Sequence, residues 1–275
     1  MTTILKEAHP QARLAQRFPA TVGRFDVPAD RATIDRLVRW VEDRYRAELQ
    51  ERPSKHVYVR ALPSAIIEQV DRLRDSPVVH ALIARKVRPG SVIAPMKHTD
   101  ELYLSHYNKD HGGDQGLFDR HYDGNLRFLS SSVVVRALIY LQSDATYTVV
   151  FGDSGLAKAF GSCEFGLLDF HRELHWVEGA YNPADRQRIL LKCNYLVTPP
   201  NAAVAGWGAL AANTTVFYIV KAAMEYSKSP RTPPQRAVGL LCNVFRRLNI
   251  VHPLIPLALV AGLIAAAISS IVVFL

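Results

Sequence analysis
The chain has 275 residues, 49% hydrophobic and 21% charged, with a formal net charge of +8. That composition excludes a disordered or collagen-like polymer. Its three cysteines (Cys163, Cys193 and Cys242) are too few and too scattered for a disulfide framework or a cysteine-built zinc site, and suit a reducing compartment.

In chain order, Lys6, Glu7, Arg13, Arg17 and Arg24 interrupt any apolar run at the N-terminus, so no secretory leader is expected. Residues 30–49 repeat Ile34, Leu37, Val38, Val41, Tyr45 and Leu49 at helical spacing, with Asp30 as the expected N-cap. Ser64 is the expected cap of a second helix running to about Arg74 and carrying Ile66, Ile67, Val70 and Leu73. The pattern then changes to short β-rich runs, VVVRALIYL (133–141), YTVVFG (147–152), FGLLDF (165–170) and RILLKCNYLV (188–197), separated by turns. Helices followed by strands predict an α+β domain whose sheet part is an antiparallel barrel or sandwich.

From residue 193 onward six basic residues accompany a single acid, Glu225, so five of the eight net charges belong to the C-terminal part. No basic stripe marks the remainder as a nucleic-acid binder. Residues 203–220 read either as a poor or interfacial membrane helix, or as a linker and a helix packed on the domain. Residues 236–248 (RAVGLLCNVFRRL) read as a basic amphipathic helix suited to anionic lipid. The 23 residues from Pro253 to Leu275 carry no charge, and at about 1.5 Å per residue a helix of them spans a roughly 30 Å hydrocarbon core. Arg246, Arg247 and His252 flank it, which places the folded domain on the cytosolic side of a single-pass tail anchor. The lack of a basic residue after the span favours the endoplasmic reticulum if the cell is eukaryotic.

The chemistry-bearing residues lie in the middle. His121-Tyr122-Asp123 puts two metal-capable side chains at i and i+2, on one face of a strand. His171 and His175 follow FGLLDF, and Arg188 opens the last β-rich run with Arg186 two positions before it. Two imidazoles and one carboxylate on one face leave half of an octahedral metal open, the set that suits non-haem Fe(II). A neighbouring arginine clamps a dicarboxylate cosubstrate. His171 and His175 also form H-x-x-x-H, which on a helix is a zinc pair, although the preceding run is strand-like. The polar stretch HYNKDHGGDQG, with His106 and His111, reads as a surface loop or as a lid over the site.

HYDG (121–124), ALIYLQSDATYTVVFGD (137–153), EFGLLDFHRELHWVEG (164–179) and RQRILLKCNYLV (186–197) together resemble the 2-oxoglutarate/Fe(II)-dependent dioxygenase superfamily, in its prolyl-hydroxylase-like branch. The resemblance implies a double-stranded β-helix, or jelly roll, with supporting N-terminal helices. It makes His121, Asp123 and His175 the iron ligands and Arg188 the partner of the distal carboxylate of 2-oxoglutarate, with O₂ as the second cosubstrate. Arg186 is a rival for that role, because the spacing from His175 to Arg188 is longer than the family's usual one. Tyr107 falls where related enzymes place an aromatic contact to the cosubstrate. The turn Gln142-Ser143-Asp144-Ala145 departs from the family's Gly-Gly-x-Thr.

The expected organisation is therefore supporting helices and first strands over 1–99, and a jelly-roll core over 100–198. A linker with a membrane-associated helix and a basic amphipathic segment occupies 199–252, and a transmembrane helix 253–275. The implied activity is hydroxylation of a protein side chain, with proline the branch's choice, at a membrane. A lipid or other membrane-borne substrate, and an inactive scaffold anchored to a membrane, are the alternatives.

Overall fold
The fold is given by a computed structural model, which describes residues 17–51, 54–105, 120–124, 132–178, 188–200, 202–227 and 231–251. A short strand β1 (Thr21–Arg24) leads into helix α1 (Pro28–Glu51). Pro28 opens this helix, where a missing N–H costs nothing. Asp30 therefore lies in the first turn and is not the cap; the Val27 carbonyl accepts its N–H at 3.1 Å. Ile34, Leu37, Val41 and Tyr45 are buried along one side of α1, as their spacing predicts. Strand β2 (Ser54–Tyr58) is followed by α2 (Ser64–Arg74) and α3 (Pro77–Lys86). Ser64 is the first helical residue of α2, and Pro63 precedes it as a cap without a side-chain bond.

The remaining strands are β3 (Val92–Pro95), β4 (Glu101–Ser105), β5 (Val133–Gln142), β6 (Asp144–Phe151), β7 (Leu156–Gly161), β8 (Glu164–Asp169), β9 (His175–Glu178) and β10 (Arg188–Thr198). The large sheet runs β1-β8-β5-β10-β4-β2, with β3 also paired to β10, and the small sheet runs β7-β6-β9. An isolated antiparallel bridge between His121 and His175 extends the small sheet beyond β9. From β4 onward the chain alternates between the sheets. β4 is in the large one, His121 in the small, β5 in the large, β6 and β7 in the small, then β8, β9 and β10 in large, small and large. That winding is a double-stranded β-helix with antiparallel sheets.

The two-residue period of the strands sorts their side chains between two cores. Along β10, Ile189, Leu191, Cys193, Tyr195 and Val197 join Leu37, Val41, Val70, Leu73 and Ile83 of the helices. The alternate residue Leu190 packs with Tyr103, Tyr140, Val149, Phe151 and Phe160 between the sheets. The helices thus seal the outer face of the large sheet, and the inner faces enclose the barrel where the histidines lie.

Two helices follow β10, α4 (Ala203–Ser227) and α5 (Pro233–Val251). Residues 203–220 are helical, and one side of this helix packs on the domain. Ala209, Asn213 and Phe217 are buried. The Tyr218 hydroxyl donates to the His98 carbonyl at 2.9 Å, and Lys221 Nζ lies 2.9 Å from Glu101 Oε2. Among the described residues no helix is long and apolar enough to cross a membrane. The expected span over 253–275 lies outside the described residues.

Candidate metal centre
His121 and His175 face each other across the bridge that joins their backbones, each N–H donating to the other's carbonyl at 3.0 Å. Their rings stand 4.4 Å apart, centre to centre. Asp123 follows His121 by two residues on the same face. Its Oδ1 is 3.8 Å from His121 Nε2, and its Oδ2 is 3.6 Å from His175 Nε2. One donor atom from each residue lies within 4.8 Å of the others, the only such group of three among the described residues. Ligands at right angles on an ion with bonds of about 2.1 Å stand roughly 3 Å apart. Side-chain shifts of about 1 Å or less would therefore let one ion join all three.

The donor chemistry fits such an ion. Burial pushes His175 down to about 4, against the pull of Asp123, so its imidazole is neutral. Its Nδ1–H donates to the Glu173 carbonyl at 3.1 Å, which leaves the Nε2 lone pair facing Asp123. Burial raises the Asp123 carboxyl, but the neighbouring charges, the Arg136 guanidinium foremost, outweigh it and hold it well below the usual carboxylate range. Arg136 Nη1 sits 2.8 Å from Asp123 Oδ2, and its Nε donates to Asn194 Oδ1 at 3.0 Å. Arg136 went unread as a site residue; the available signal was one charge in the apolar strand VVVRALIYL, but its partner Asp123 is set by strand register rather than by local sequence.

The turn after β8 supports the ligands from below. Gly124 donates its N–H to the Phe170 carbonyl at 2.8 Å, and a Cβ on it would fall 1.9 Å from His171 Nδ1. Only glycine therefore lets the chain beside Asp123 lie against that ring. His171 is buried, pushed down to about 4 by burial, and hydrogen-bonded through Nε2 to Asn213 of α4. It stands outside the three-donor group, and residues 171–175 run from a turn into β9 rather than along a helix, so the helical premise of an H-x-x-x-H zinc pair is not met.

Arg188, opening β10, projects between the sheets. Its Nε donates to Ser105 Oγ at 3.2 Å, and its guanidinium lies 5.7 Å from the Tyr103 ring and 5.8 Å from the Tyr147 ring. Tyr103 belongs to the large sheet and Tyr147 to the small one, so the cation is inside the barrel. The rivals Arg186 and Tyr107, and the loop with His106 and His111, lie outside the described residues. A second buried ionic group went unread in the sequence. Glu101 has Lys192 at 3.4 Å, Lys221 at 2.9 Å and His56 at 3.3 Å. Burial raises Glu101, yet these partners bring it well below the ordinary range. Lys192 interrupting RILLKCNYLV was the available signal, because a lysine within a buried strand needs a partner.

No protein-family model and no curated protein sequence matches the chain. Among solved structures it is similar to the non-heme α-ketoglutarate-dependent epimerase SnoN from nogalamycin biosynthesis. There the TM-score is 0.43 at 15% identity, over 65% of this chain and 78% of that one. It is similar to prolyl 4-hydroxylase from Phytophthora capsici at TM-score 0.45 and 13% identity, over 86% and 82% of the two chains. A prolyl hydroxylase from Trichoplax adhaerens, solved with a hypoxia inducible factor oxygen degradation domain peptide, gives 0.41 at 14% identity over 65% and 83%.

Proposed function
We propose that the chain is an Fe(II)- and 2-oxoglutarate-dependent dioxygenase that hydroxylates a protein side chain, with proline first to be tried, at a membrane. The observation that carries this reading is the convergence of His121, Asp123 and His175 in a barrel whose interior also holds Arg188. Two imidazoles and one carboxylate are the donor set suited to Fe(II) with open positions for a chelating cosubstrate and O₂. Iron bound there would couple oxidative decarboxylation of 2-oxoglutarate to oxygen insertion into a substrate C–H bond.

The chain's own residues do the positioning. His175 is turned by the Glu173 carbonyl, and Asp123 is oriented by Arg136. Arg188 supplies a fixed cation for the far carboxylate of the cosubstrate, with Ser105 and two tyrosine rings setting its orientation. The apolar cluster of Tyr140, Val149, Phe151 and Phe160 excludes water from the barrel behind the metal. The uncharged segment 253–275 supports attachment to a membrane with the domain on the cytosolic face, the endoplasmic reticulum being the first membrane to test.

The test is anaerobic addition of Fe(II) and 2-oxoglutarate to purified protein, followed by oxygen and candidate peptides. A visible absorption band that needs both additions, and succinate formation that needs peptide, are expected. His121→Ala and Asp123→Ala should abolish both signals. A band and turnover unchanged in both variants would refute the assignment.

A further inference from the structure
Seven of the ten exposed large apolar side chains among the described residues belong to α4 and α5. On α4, Val204, Trp207, Ile219 and Tyr226 point away from the barrel, with Trp207 74% and Ile219 63% exposed. Their helical spacing puts them opposite the buried Ala209, Asn213 and Phe217. The first charge of α4, Lys221, turns inward to Glu101. The outward side of α4 therefore has apolar bulk, with no charge before residue 225. On α5, Leu240, Leu241 and Val244 are exposed, and the exposed Arg236 and Arg247 lie one turn either side of them. No acidic residue occurs after Glu225.

We propose that α4 and α5 form a docking face for the surface of an anionic lipid bilayer. The face lies in the headgroup layer, with Trp207 and Leu240 embedded and Arg236 and Arg247 paired to phosphates or lipid carboxylates. The charge pattern selects this occupant. A second copy of the chain would bring arginines to arginines, whereas an anionic headgroup layer neutralises them while accepting the apolar side chains. A tryptophan ring such as that of Trp207 is suited to the interface, where one end is apolar and the other wet. The uncharged segment beginning at Pro253 leaves the end of α5, so the chain continues from this face without a charged residue. The inference does not depend on iron or on any activity.

The experiment uses the full chain reconstituted with vesicles of phosphatidylcholine alone or mixed with phosphatidylserine. Each vesicle carries bromine either near the headgroups or near the bilayer centre, and quenching of tryptophan emission is read. Trp207 is separated from Trp40 and Trp176 by subtracting the Trp207→Phe variant. Shallow quenching of Trp207 that exceeds deep quenching, and that is stronger with phosphatidylserine, is expected. Arg236→Gln and Arg247→Gln should each lower the ratio of docked to undocked protein about fivefold on the anionic vesicles. Three results would overturn the proposal. They are no quenching on either vesicle (the face is covered by a second copy or by the chain's own segment), equal quenching on both, and deeper than shallow quenching.

Discussion

Arg136 decides how Asp123 behaves, because it holds the same carboxylate oxygen that faces His175. Arg136→Gln is expected to weaken binding of Fe(II), or of Co(II) as a spectroscopic substitute, by about 10–100-fold. Competition with a metallochromic chelator measures this directly, and unchanged affinity would deny Arg136 an orienting role. His171 gives a pH signature independent of metal. Burial takes it to about 4 in the folded chain, against about 6.5 in an unfolded one. Between those values the unfolded state binds the proton, so the stability associated with neutral His171 is full above pH 6.5 and lost as pH falls toward 4. In metal-free protein the unfolding free energy should fall by ~1 kcal/mol per pH unit on this account, read from urea midpoints. His171→Gln should flatten the slope by that amount. The H-x-D pair and the downstream histidine were legible in the sequence because ligand chemistry is local in residue type. The supports were not: Arg136, Asn194 and Asn213 reach the site only through sheet register and helix docking.

The strands most legible in sequence were β5, β8 and β10, whose two faces are both covered and whose runs are therefore mostly apolar, interrupted by Arg136 in β5 and by Lys192 and Asn194 in β10. Strands β7 and β9 are short, mix small and polar residues, and become strands only by pairing with β6. The start of β6, which lacks glycine, carries its cost in the backbone, since Ala145 has φ 58°. A side chain there is strained by about 1 kcal/mol, so Ala145→Gly should raise the unfolding free energy by ~0.5–1 kcal/mol. A lowered urea midpoint would contradict this. In the helical layer, Leu37 is fully buried against the large sheet. Leu37→Ala should cost about 2–5 kcal/mol by loss of contact and a residual cavity, again from urea midpoints, with the metal set left in place. Helix α4 was ambiguous in the sequence for a physical reason. One side packs on the barrel and the other is exposed yet uncharged, so its composition looks like that of an interfacial or spanning helix.

At the scale of the whole molecule, the alternation of strands between two sheets brings residues far apart in sequence to one interior. Glu101 gathers three of them, taking Lys192 from the neighbouring strand, His56 from β2 and Lys221 from α4. Replacing it by leucine would leave two cations with their partner removed, a change expected to cost about 3–5 kcal/mol. Glu101→Leu should therefore lower the urea midpoint and speed proteolytic cleavage within α4, while Glu101→Gln should do so less. Equal behaviour of the two variants would show that an amide's hydrogen bonds replace no part of what the lost carboxylate supplied. Strand rhythm anticipated an antiparallel barrel or sandwich, and the family resemblance implied its jelly-roll winding; the helix that closes onto it was not fixed, because no local pattern records which surface α4 covers. Asn213 grips His171 behind the metal ligands, and Lys221 enters the Glu101 cluster. A protein cut just after β10 would thus be a barrel with its clasp removed. The apparent seam between sheet and tail is a poor place to divide the chain, and any soluble form should keep α4 intact.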